Sequence, residues 1–254
     1  MRISLEKVVF AAVGALLSCG NVQAALVVNA PLPITEVVTV QLIQTDDGAS
    51  GFATLFGNPT QQTEIFGFID QIWAQAGIDI DFLPTVTPYS NAFAYQGSVS
   101  PRPTSDLNTI LAAGPNHLDP LVLNVYMVEI VPGFSYTNLN TANGLANIGA
   151  NGITMFVGSD LLTWTGGREV VASVVAHEIG HNLGLPHLGV DYNLMCGSGV
   201  TCEVDGEQLL AGQITTALAS QFSVPIPLPG ALWLFGGGIV TLFGVRRRAV
   251  CETY

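Results

Sequence analysis

Along the chain the spacing of apolar positions changes period several times, and each change predicts an element. Glu36 to Gln44 is rich in valine, leucine and isoleucine and predicts a strand. Thr60 to Ala76 spaces Ile65, Phe66, Phe68, Ile69, Ile72 and Trp73 on a broad helical face, and Gly77 ends it. Ile78 to Leu83 alternates apolar and polar residues, the pattern of a half-buried strand. Ser105 to Ala113 predicts a second helix, and Leu121 to Val131 and Ile153 to Val157 two further strands. Tyr136 to Asn151, rich in Asn, Thr and Gly, reads as loop. Gly166-Gly167 predict a break, followed by a helix from about Arg168 that buries Val170, Val171, Val174 and Val175. Asp205-Gly206-Glu207-Gln208 predicts the capped start of a last helix that ends near Ser220. Strand–helix–strand order predicts an α+β fold, a twisted mixed sheet with helices packed on it. No internal repeat is present, which excludes solenoids and propellers.

Composition changes this picture at the ends. Hydrophobic residues make up 49% of the 254 and charged residues 10%, and two apolar terminal segments carry part of that bias. Arg2 and Lys7, the apolar run Val8 to Leu17 and the small residues of Val22-Gln23-Ala24 read as a signal peptide, residues 1–24, cleaved after Ala24 by signal peptidase. An uncleaved anchor is one alternative, and lipidation of Cys19 in Leu16-Leu17-Ser18-Cys19 is another. At the other end, Val224-Pro225-Ile226-Pro227-Leu228-Pro229 precedes the apolar run Gly230 to Val245 and Arg246-Arg247-Arg248. The run, residues 230–245, predicts a short transmembrane segment with its arginine end cytoplasmic. The tripartite layout resembles the PEP-CTERM sorting signals of Gram-negative bacteria in their VPLP-like variant. It lacks the glutamate of a Pro-Glu-Pro box and carries six residues after Arg248. The resemblance implies a sorting tail over 223–254, processing by an exosortase-type enzyme, inner-membrane anchoring before that step, and a cell-surface or extracellular protein after it.

The remaining domain, residues 25–222, is acidic. Of nineteen Asp and Glu, all but Glu6 and Glu252 fall within it, whereas its basic side chains are Arg102 and Arg168. No basic footprint for nucleic acid exists. Cys196 and Cys202 are predicted to pair across a small loop in an oxidising compartment, with two free buried thiols as the alternative.

The chemistry concentrates in His177-Glu178-Ile179-Gly180-His181-Asn182-Leu183-Gly184-Leu185-Pro186-His187. His177 and His181 stand four apart, so both imidazoles leave one face of a helix and can share one Zn²⁺. Glu178 sits at the edge of that face, in reach of a water on the metal. Gly184 stops the helix by adopting a left-handed conformation, which returns His187 as a third ligand. Three protein ligands leave a coordination position open, the arrangement of catalytic zinc. His117, in Pro115-Asn116-His117, reads as a loop residue without a catalytic role.

The signature resembles that of the metzincin metalloproteases. Tyr192-Asn193-Leu194-Met195-Cys196-Gly197 resembles their Met-turn, which implies Met195 as a hydrophobic floor beneath the zinc. The resemblance also implies a zincin fold with an active-site helix and a C-terminal helix. Gly144-Leu145-Ala146 is similar to the family's edge strand, with Leu145 and Ala146 binding extended substrate; plain loop is the equal alternative. Gly197 stands where the astacin and serralysin branches carry a tyrosine ligand, and calcium-binding repeats and a cysteine switch are absent from the sequence. The expectation is an exported zinc endopeptidase with Glu178 as general base and a protein or peptide substrate. A non-catalytic zinc-containing surface or biofilm-matrix protein is the alternative.

Overall fold

A computed structural model describes residues 26–49, 51–96, 104–129, 140–197 and 199–226. The expected signal peptide, Cys19, the 230–245 run expected to be transmembrane and the arginine cluster lie outside the described residues. Among the described residues no helix is long and apolar enough to cross a membrane.

Among the described residues seven strands form one mixed sheet around β1 (Glu36–Asp46), whose middle is buried on both faces. β2 (Ile78–Phe82) and β3 (Thr87–Ser90) lie parallel to it on one side. β4 (Leu123–Met127) lies parallel on the other, followed by parallel β6 (Ile153–Val157) and antiparallel β5 (Ala142–Ala146) at the edge. β7 (Val224–Pro225) pairs antiparallel with Glu36 and Val37, so the Pro-rich stretch that opens the expected tail starts inside the sheet. The α+β expectation is met. The strand expected over Leu121 to Val131 is shorter, because Asp119 turns the chain at Leu121 and Val122 before pairing begins. β3, β7 and the short helix α2 (Ala92–Gln96) had no sequence expectation.

α1 (Pro59–Ala74) begins with a reciprocal cap. Asn58 Oδ1 accepts the amides of Thr60 and Gln61, and Gln61 Oε1 accepts that of Asn58 at 2.8 Å. Its buried stripe Ile65, Ile69, Ile72 and Trp73 packs with Val171 and Val175 of α4 (Thr165–Asn182) on one face of the sheet. α2 and α3 (Thr104–Ala113) cover the other face, around Tyr126 and Phe156. The last helix, α5 (Ala211–Leu218), starts later than expected. Residues 205–208 cannot begin it, because Gln208 lies extended beside Tyr192 to Leu194 and exchanges backbone hydrogen bonds with them.

Two expectations for α4 change. The helix starts at Thr165, ahead of Arg168, and its glycines are space-makers in the first turn. A Cβ on Gly167 would lie 2.2 Å from the Leu161 carbonyl oxygen, and one on Gly166 would enter the Trp164 ring. Val171 and Val175 are buried as expected, but Val170 is 43% exposed and Val174 half-buried. Helical phase explains the split: Val170 and Val174 sit on the side of His177, which turns away from the sheet.

On α1, Asp70 accepts the Ile80 amide and lies near Asp79 and Asp81. Burial, more than those two charges, raises its pKa from 3.8 to about 6. The folded state therefore holds this proton more tightly than the unfolded chain, and the fold loses stability as pH rises from about 4 to about 6. Asp70→Asn is expected to stabilise by about 1 kcal/mol above that window, the shift being discounted for a half-exposed group. Thermal melts at pH 8 and pH 3.5 check it: the variant melts higher at pH 8, and an equal gap at both pH values would refute the account.

Candidate metal centre

The C-terminal half of α4 presents His177 and His181 on one face, with Glu178 beside them. The helix ends at Asn182, and Gly184 takes φ 96°. The turn closes through the Leu185 amide to the Gly180 carbonyl and the Gly184 amide to that of His181, both at 2.9 Å. These bonds satisfy carbonyls that a helix end leaves without partners. His187 returns to the helix from this turn. Its Nε2 lies 3.1 Å from Nε2 of His177 and 3.1 Å from Nε2 of His181.

Backbone carbonyls fix the rings. His177 Nδ1 is 2.7 Å from the Leu194 carbonyl oxygen, and His181 Nδ1 is 2.7 Å from that of Leu185. A carbonyl only accepts, so each Nδ1 carries the proton and donates it, and each Nε2 keeps its lone pair. Burial lowers the pKa of both imidazoles, that of His177 to about 4, which favours the neutral form. Two of the three converging nitrogens are thus lone pairs aimed at one point. Tetrahedral Zn–N bonds of about 2.0–2.1 Å imply nitrogen separations of about 3.3–3.4 Å. The donor set fits such a cation in type, number and spacing. Within the described residues the triad is the one group of three or more His, Cys, Asp or Glu close enough to share a metal.

Met195 lies under this face, fully buried. A Cβ on Gly180 would sit 2.6 Å from its Sδ, so the helix must be bare there for the thioether to approach. The turn is held from below: Asn193 Oδ1 accepts the Met195 amide, and the Asn193 and Gln213 side-chain amides exchange two hydrogen bonds of 2.9 Å. Cys196 and Cys202 form a disulfide just beyond. Gly197 packs against the metal face itself, where an added Cβ would lie 2.7 Å from His187 Nε2.

Residues 90–188, from the last residue of β3 to just past His187, match the family model of reprolysin-like metallopeptidases of family M12B. The chain is a metallopeptidase. The metallopeptidase also resembles solved structures at low identity. Archaemetzincin from Methanopyrus kandleri aligns at 15% identity over 72% of this chain and 94% of that one, with a TM-score of 0.42. Metalloproteinase-II from Bacteroides fragilis aligns at 15% over 74% and 56%, TM-score 0.41. Archaemetzincin from Archaeoglobus fulgidus, complexed with malonate, aligns at 18% over 71% and 99%, TM-score 0.39. No curated protein matches the sequence.

In the metallopeptidase the triad opens into a cleft of about 830 Å³. Its far wall is β5, whose outer edge pairs with no other strand among the described residues. Leu145 and Ala146 lie on this wall, and the strand lies within the stretch whose composition reads as loop. Glu178 bridges wall and helix. It is buried, Oε2 has no hydrogen-bond partner among the described residues, and burial raises its pKa to about 8. Its carboxyl packs on Gly144, where a Cβ would fall 2.3 Å from Glu178 Cγ. His117 stands apart from the triad in its loop, where Nδ1 accepts the Asp119 amide.

Sequence reasoning missed the supports. Gly144, Gly180 and the Asn193–Gln213 pair matter through contacts far apart in sequence, which no local pattern shows. It also missed Glu169 and Ser173 of the cleft wall. Their signal was available, since they precede His177 by eight and four residues and so share its helical face.

Proposed function

We propose that this metallopeptidase is an exported zinc-dependent endopeptidase in which Glu178 is the general base. The observation that carries the reading is the convergence of three imidazole Nε2 atoms beside a buried carboxyl, whose Oε2 has no partner among the described residues, in a cleft walled by β5. His177, His181 and His187 would hold the zinc, which supplies Lewis acidity toward water and toward the scissile carbonyl when bound. Glu178 takes the proton of the attacking water and delivers one to the leaving amine, and burial makes it a stronger base than an exposed carboxylate. β5 orients an extended substrate by main-chain hydrogen bonds along its free edge, with Leu145 and Ala146 at the contact. Met195 keeps the floor dry, and the Cys196–Cys202 loop shapes the wall. The amino-terminal pattern, outside the described residues, and the PEP-CTERM-like tail, described only as far as Ile226, support export and surface sorting.

Casein and gelatin zymography of the full chain, with and without a chelator, tests the reading. Clearing that the chelator abolishes and added zinc restores is expected. Absence of chelator-sensitive clearing on several protein substrates would overturn it in favour of a non-catalytic zinc-containing surface protein.

A further inference from the structure

We propose that the cleft selects substrates bearing a lysine or arginine side chain, seated between Glu169 of α4 and Glu207 of the loop beyond the disulfide. The inference rests on the peptidase reading and names the substrate class of that site. Glu169, Ser173 and His177 form one row on α4, spaced four residues apart, so Glu169 lies about 12 Å along the helix from the metal face. Glu207 also lines the cleft and reaches this row, bonded to Ser173 and to the Val27 amide at 3.0 Å. Asp205 adds a third carboxylate to the same lining.

No described cation answers them. Arg168 is the one described Lys or Arg side chain, and it is held by Glu64, the Leu162 carbonyl and Thr165. Glu169 is 9% exposed and has no hydrogen bond or ion pair among the described residues. Burial and, after it, the charge of Glu207 raise the pKa of Glu169 above the usual carboxylate range. A substrate ammonium or guanidinium supplies the missing partner, and in a partly desolvated cleft such a pair is stronger than on an open surface. The same cleft holds the metal triad and Glu178, and Trp164 stands at its rim 52% exposed, within the cleft lining that a cationic side chain would pass. An extended substrate advances about 3.3 Å per residue. The row is thus reached by residues a few positions from the scissile bond, or by a long side chain nearer to it.

The test is a set of fluorogenic peptides, cleaved by the full chain with zinc. At each of four positions on either side of the scissile bond the set places arginine, norleucine or glutamate. At one position or more, kcat/KM for arginine is expected to exceed that for norleucine by about tenfold or more, with glutamate lowest, as a charge-assisted pair implies. Glu169→Gln and Glu207→Gln are each expected to bring the arginine-to-norleucine ratio towards one. Glu169→Lys, which keeps the Glu207 contacts to Val27 and Ser173, is expected to favour glutamate. A wild-type ratio near one at every position overturns the proposal, as does a ratio that all three variants retain. If no peptide is cleaved, the peptidase reading fails separately. Fluorescence anisotropy of the same peptides on the Glu178→Ala chain then decides the specificity, and equal affinity for the arginine and norleucine peptides overturns it.

Discussion

Glu178→Ala is expected to keep the metal and lose hydrolysis, with kcat/KM falling by about 10²–10⁴-fold, the range for a positioned general base. The structure separates the two properties. Glu178 makes no contribution to the Nε2 triad, and the protons on His177 and His181 are fixed by the Leu194 and Leu185 carbonyls. The folded state should not suffer either, because Glu178 Oε2 is buried without a partner among the described residues and its removal relieves a desolvation cost. Metal analysis, a thermal melt and a peptide assay on one preparation check all three. Wild-type turnover in the variant would remove Glu178 from the chemistry, and loss of the metal would mean that the carboxylate helps to hold it.

Zinc is expected to stabilise the fold as well as to switch on activity. Two ligands come from one helix and the third from the segment after its terminating turn, so an unfolded chain offers no comparable site. Zinc at a free concentration one hundred times its dissociation constant is expected to raise the unfolding free energy by about 2.7 kcal/mol. A chelator should reverse the gain and abolish hydrolysis together. His187→Ala should remove most of the zinc-dependent part of the melting temperature. An unfolding temperature in that variant that still rises with zinc as in the wild type would place the metal elsewhere.

The elements that could be read from the sequence are those whose signals are local. Ile153 to Val157 is a run of strand formers, and the strand occupies those residues. Gly77 and Gly184 end helices as a left-handed glycine does. The spacing from His177 to His187 is itself geometry, since helical phase and a single turn bring the three rings together. What could not be read is what depends on partners distant in the chain. β5 lies in an Asn- and Gly-rich stretch and is a strand because Ile153 to Val157 pair with it. Gln208 looks like part of a helix start but is held extended beside the Met-turn. The Gly166-Gly167 pair resembles a break, yet it gives the clearance that α4 needs against Leu161 and Trp164.

The paired amides of Asn193 and Gln213 have a consequence for how the site comes into being. The loop that carries Met195 and the carbonyl gripping His177 is anchored to α5. A nascent chain that has already made α4 and its three histidines still lacks the support that aligns them. Competence to cut is therefore a property of the finished polypeptide, and a fragment ending before Gln213 has the ligands without the alignment.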